Sequence, residues 1–170
     1  GTKFKITEFT SYDISVFWNE YKNLIAYIPV PGQSLTFEIN NLNRARMRGF
    51  EFNLNLFYKR YLTASFGYTY LDAQDRSPGR TNNTLPYKIK HSLNFNVDGF
   101  YKSLSLNVNG RRNSRISEVS IYPGSEPGAY FIVNGKLAYK FYRNQTVYVA
   151  ISNLTDTQYE EIERYRMPNR

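Results

Sequence analysis

The chain contains no cysteine, which excludes a disulfide framework, a zinc–thiolate site and a cysteine nucleophile. Histidine is nearly absent too. The single His91 has no evident carboxylate or cysteine partner, so it reads as a structural residue at the start of a strand, and neither a metal site nor a cofactor is expected. Long hydrophobic runs are missing. The longest, Leu24 to Val30 counting Pro29, is about seven residues, where a membrane-spanning helix needs roughly 20. No signal-peptide pattern precedes the first patterned residues. No phosphate loop, dinucleotide fingerprint, nucleophile elbow or metal-ligand motif is found, so nothing marks an enzyme.

What the chain does have is aromatic side chains. Tyr and Phe number 16 and 12 among 170 residues, and aromatics reach 17%. Flat rings suit a pleated surface, so this excess favours β structure. Apolar residues at 41% are too many for a disordered chain, and the length suits one domain. A net charge of +8 fits nucleic acid, anionic headgroups, an anionic ligand or merely a basic surface. The aromatics are spread along the chain rather than gathered with basic residues, so nucleic-acid binding is not expected.

Period-two alternation recurs almost throughout. Leu104, Leu106 and Val108 alternate with Ser103, Ser105, Asn107 and Asn109. Phe50, Phe52, Leu54 and Leu56 alternate with Glu51, Asn53 and Asn55; Leu93, Phe95 and Val97 alternate with Asn94, Asn96 and Asp98. Tight hairpins are predicted at Tyr58–Tyr61, Gly99–Lys102 and Tyr142–Gln145. Longer connections rich in Gly, Pro, Asn and charge are predicted at Pro29–Ser34, Asp75–Leu85, Glu118–Gly128 and Glu160–Pro168. The strict alternation of short and long connections gives about eight extended segments.

Alternation alone leaves a soluble sandwich or barrel open. Three features favour a transmembrane barrel: small neutral polar residues on one face, aromatics crowding the strand ends, and connections short on one side and long on the other. A mean hydropathy of −0.56 is compatible, since only every second residue would meet lipid. The expected fold is all-β, an antiparallel up-and-down transmembrane β-barrel segment with short periplasmic turns and long extracellular loops. The alternatives are a small autonomous outer-membrane barrel, structural or porin-like, and a soluble ligand-binding β-barrel.

Six motifs add a family resemblance. They are Gly1-Thr2-Lys3 followed by Ser15-Val16-Phe17-Trp18 and Ile25, Ala45-Arg46-Met47-Arg48-Gly49-Phe50-Glu51, Tyr68-Thr69-Tyr70-Leu71-Asp72-Ala73, Leu85-Pro86 with His91, Asn153-Leu154-Thr155-Asp156 with Tyr159, and Met167-Pro168-Asn169-Arg170. In this order they resemble the C-terminal part of the β-barrel of TonB-dependent outer-membrane receptors. Asn169 stands where that family usually has Gly. The resemblance implies that 1–170 is the C-terminal portion of such a barrel, with the final strand, the plug and most of the wall outside it. It further implies a protein of the bacterial outer membrane that imports a scarce ligand, such as an iron–siderophore complex or cobalamin. Its implied partners are outer-membrane lipid and lipopolysaccharide, a small-molecule metal chelate or vitamin, and TonB through the plug region.

Arg44, Arg46 and Arg48 lie at i, i+2 and i+4, hence on one strand face. Together with Glu51, Arg111 and Arg112 they are expected to line the lumen, as contacts to a plug or neighbouring strands, or as an anion-binding stripe. For Arg111 and Arg112, nearer the outer rim, lipopolysaccharide phosphate is a second possibility. In the long loops, Arg76, Arg80, Asn82, Asn83, Glu118, Tyr122, Glu126, Glu161, Glu163 and Tyr165 are candidate ligand contacts, against the blander reading of solvated loop residues.

Overall fold

The structure is a computed structural model describing residues 1–30, 33, 36–78, 83–143 and 145–170. Eight strands run in chain order: β1 Thr2–Thr7, β2 Thr10–Pro29, β3 Phe37–Tyr58, β4 Leu62–Asp75, β5 His91–Tyr101, β6 Leu104–Asn113, β7 Tyr130–Tyr142 and β8 Gln145–Ile151. Each is hydrogen-bonded antiparallel to the next, forming one open sheet with β1 and β8 at its edges. A small hairpin of β9 Glu160–Ile162 and β10 Tyr165–Arg166 follows.

The strand count is as expected, but the partition differs. Residues 1–29 form two strands, turning at Glu8–Phe9, where no Gly, Pro or Asn announces a turn. The Glu160–Pro168 stretch is not a plain loop, since it carries β9 and β10. The Pro29–Ser34 and Asp75–Leu85 connections lie partly outside the described residues.

The register assigns every central side chain to a face. Rows such as Ile14–Phe52–Tyr68–Leu93 and Val97–Val108–Gly135–Ile151 join apolar residues across neighbouring strands. Rows such as Thr69–Ser92–Asn113 and Asp98–Asn107–Lys136 join polar ones. The apolar face is not packed against protein. Val16 is 77% exposed and Val149 64%, and Asp75 is the one side chain fully buried among the described residues. A one-layer sheet with an uncovered apolar face has no core in water. A covering layer has to come from outside the sheet, and each outward Val, Leu or Phe it covered would contribute about 1.5–3 kcal/mol. Among the described residues a small buried cluster of Ala45, Ala73 and Leu85, with Leu24, Met47 and Leu71 against it, sits at the long-connection end.

The two ends differ. At one end, Tyr58-Lys59, Tyr101-Lys102 and Tyr142-Arg143 repeat a device. The basic residue takes a positive φ (49°, 52° and 31°), and its cation lies over the preceding tyrosine ring at 5.6, 5.4 and 5.5 Å. The positive φ turns the chain, and the tyrosine–cation pair suits a membrane–water boundary. At the other end, β2 and β3 have 20 and 22 residues, well beyond the 9–11 that a tilted strand needs to cross a bilayer. Gly49 lets β3 and β4 approach there, because an added Cβ would collide with the Tyr70 carbonyl oxygen.

Candidate functional site

Two constructions at the sheet bear on function: a polar wall and a clamped set of long connections. The wall is a ladder of amides. Asn96 donates to Asp98 at 2.6 Å, and Asn107 donates to Asn96 at 2.8 Å and to Asp98 at 2.6 Å. Asn109 donates to Asn107, and Asn134 to Asn109, each at 2.9 Å. The last link is the Asn153 backbone N–H to Asn134 at 2.9 Å. Three strands and the turn after β8 are thus joined by side chains that satisfy one another, a stable way to present a polar surface in which Asp98 is the one charged group of the ladder. Asn153, 5% exposed, takes a φ of 51°, and its amide closes the Asn153–Thr157 turn through the Thr157 N–H and carbonyl.

The clamp centres on Tyr87. Its hydroxyl donates to Glu163 Oε1 at 2.7 Å and accepts the backbone N–H groups of Ser120 and Ile121 at 3.1 and 2.9 Å. One phenol therefore ties the β4–β5 connection to the β6–β7 connection and to the terminal hairpin. Burial, and then the Glu163 carboxylate beside it, raise its pKa above the ordinary 10.0. Glu161 pairs with Arg111 and accepts from the Tyr130 hydroxyl at 3.0 Å, while the Tyr130 and Tyr159 rings lie 4.6 Å apart. Arg164 lies 4.5 Å over the Tyr122 ring. Glu126 accepts the Gly124 N–H at 2.9 Å and faces Arg115 at 3.3 Å; the backbone bonds, ahead of Arg115, lower its pKa from 4.5.

Several expected contacts therefore have internal partners. Glu163 is not an exposed loop acid: it is 4% exposed and held by Tyr87, a residue 76 positions away. Glu161, Tyr122 and Glu126 fasten loops. Tyr165 is 65% exposed, and Asn83 and Glu118 lend backbone carbonyls to Asp75 and Tyr87. Arg80 and Asn82 lie outside the described residues.

The lumen expectation for the arginines needs correcting. Arg46 pairs with Glu20 and Gln74, Arg48 with Trp18 and Asp72, and the next same-face row is Val16–Phe50–Tyr70. No register shift intervenes, so Arg44, Arg46 and Arg48 share the apolar face of Phe50 and Phe52. Arg111 and Arg112, being neighbours on β6, point to opposite faces. Arg111 is on the polar face with Asn109; Arg112 is in the row of Leu93 and Phe131, on the apolar face. Glu51 lies on the polar face, paired with Ser15 and Thr69. The sign that could have shown this is parity: Arg48 precedes Phe50 by two.

An uncovered apolar face, a polar amide face, short turns at one end and long clamped connections at the other define the wall of an outer-membrane barrel. Residues 1–154 match the family model described as TonB dependent receptor-like, beta-barrel, and the chain belongs to that family. The family is one of outer-membrane transport receptors rather than enzymes. Solved structures agree on the fold. The siderophore receptor PiuA from Acinetobacter baumannii superposes with a TM-score of 0.74 at 19% identity, over 94% of this chain and 24% of its own. The ferric-catecholate import receptor Fiu from K12 E. coli gives 0.73 at 18%, over 94% and 23%. The ferric yersiniabactin uptake receptor FyuA from Yersinia pestis gives 0.76 at 13%, over 94% and 24%. The chain thus spans 24%, 23% and 24% of the lengths of these structures. No curated protein matches it.

Proposed function

We propose that residues 1–170 form the C-terminal portion of the barrel of an outer-membrane receptor that binds and imports a scarce metal chelate, with the TonB complex supplying the energy through a plug. The observation that carries this is the pairing of an uncovered apolar face with a self-satisfied amide ladder. Such a wall needs lipid on one side and a hydrated or plug-filled lumen on the other. Unpaired edges at β1 and β8 are costly in lipid, which supports further strands completing the barrel. The solved relatives named for siderophores favour a ferric chelate over cobalamin as the ligand. The exposed rim residues Arg76, Asn83 and Tyr165, with Arg80, Asn82 and Glu118, are the proposed ligand contacts. Glu51 and Arg111, on the polar face, are proposed wall or plug contacts.

The test is uptake of a panel of radiolabelled ferric chelates by cells that express the full-length protein carrying this chain, with and without functional TonB. TonB-dependent accumulation of one chelate is expected. Equal accumulation in both strains, or none for any chelate or cobalamin, would contradict the proposal.

A further inference from the structure

The terminal hairpin is held to the rest of the chain by two acids of unequal grip. Glu163 is 4% exposed and fixed by the Tyr87 hydroxyl at 2.7 Å. Glu161, two residues earlier, keeps 36% of its side chain exposed, and its partner Arg111 keeps 40%. An ion pair this exposed holds weakly, because water screens it. Tyr130 adds a neutral contact, its hydroxyl donating to Glu161 at 3.0 Å. The hairpin thus has one firm anchor and one that a competing anion can displace.

Beside the weak anchor lies a recess of about 310 Å³, at the lower end of the range for small-molecule sites. It opens between the polar face of the wall, the β6–β7 connection and the hairpin. Ile89, Ile116, Pro127 and Ile162 give it apolar sides. Its polar groups are nearly all spent on one another. Asn113 donates to the Tyr130 hydroxyl at 2.7 Å and accepts from Ser92 at 2.8 Å. The Ser114 hydroxyl accepts the His91 N–H, and Glu160 accepts the Arg164 N–H, each at 3.0 Å. Arg111 is the exception. One terminal nitrogen serves Glu161, while its Nε is buried and has no partner among the described residues. The recess therefore offers one guanidinium with a donor to spare, next to an apolar lining.

We propose that this recess takes a small organic carboxylate with an aromatic or aliphatic body, and that Glu161 holds its place until it arrives. The incoming carboxylate takes both Nε and the terminal nitrogen of Arg111, a two-pronged match that Glu161 does not make. The apolar body covers the isoleucines and removes them from water. Glu161 then leaves with its strand, while the Tyr87–Glu163 bond keeps the hairpin tethered. Arg111 is a wall contact when the recess is empty and a ligand contact when it is filled. The inference rests on the receptor reading above and deepens it, by naming one group of the ligand and a release step.

The experiment uses the full-length protein carrying this chain, purified in detergent. It measures binding of benzoate, benzyl alcohol and acetate by ligand-observed NMR titration. Benzoate is expected to bind at least about tenfold more tightly than benzyl alcohol, which lacks the charge, and than acetate, which lacks the ring. Glu161→Gln keeps an acceptor for Tyr130 but removes the competing charge, so benzoate should bind about threefold more tightly. Arg111→Gln should weaken it about tenfold. If R111Q fails the heat-modifiability test for a folded barrel, R111K replaces it; a cation is kept without the fork, and a loss of about threefold is expected. A merely structural ion pair would give no gain in E161Q. Unchanged or weaker benzoate binding by folded E161Q, or equal binding of benzoate and either control, would overturn the proposal. So would no benzoate binding at all, as when a plug carboxylate already fills the recess. A protein with the two opposite shifts that imports no chelate would refute transport and leave this site standing. One that imports a chelate but binds no benzoate would do the reverse.

Discussion

At the scale of single residues, partners matter more than residue type. Tyr87 joins three segments through one oxygen. Tyr87→Phe removes the donor to a buried carboxylate and the acceptor of two N–H groups, at an expected cost of about 1–3 kcal/mol. Limited proteolysis should then cut residues 114–128 faster, and an unchanged digestion pattern would deny the clamp. The same tyrosine sets a pH response. Its pKa is raised in the fold, so its contribution is complete below about pH 10 and is lost as pH rises through the folded value. Ultraviolet titration against a Y87F reference should show one phenol ionising later than 10.0. None of this is visible locally in the sequence. Glu163 looks like a solvated loop acid because its partner is 76 residues away.

At the scale of strands and turns, most of the architecture was legible. Alternation such as Leu104–Asn109 identified the faces, and the Tyr-basic turns marked the short end. The turn at Glu8–Phe9 was hidden because it uses no turn-favouring residue. The arginines were misassigned because a polar run suggests a polar face. That holds along the apolar rows but fails where β3 extends past them, since there the face that carries Phe50 and Phe52 carries Arg44, Arg46 and Arg48. The turns carry their own prediction. Lys102 stands at φ 52°, where a β-branched side chain is strained, so Lys102→Val should cost about 1–3 kcal/mol and Lys102→Gly about 1 kcal/mol or less in detergent unfolding. Equal effects would argue against a left-handed residue there. Gly49→Ala meets backbone rather than a movable side chain, so a loss of about 1–3 kcal/mol is expected from the same measurement.

At the scale of the whole molecule, everything rests on the two faces being in different media. Among the described residues no second protein layer covers the apolar rows, and the polar rows satisfy themselves through Asn96, Asn107, Asn109 and Asn134. The absence of cysteine makes the claim simple to probe, since every introduced thiol would be the only one in this chain. A spin label is placed singly at each position from Leu104 to Asn113 in the full-length protein in bilayers, and its collision rates with oxygen and with a water-soluble nickel complex are measured. Oxygen maxima are expected at Leu104, Leu106 and Val108, and nickel maxima at Ser105, Asn107 and Asn109. Equal accessibility at both sets, or the two sets reversed, would contradict the lipid-facing wall.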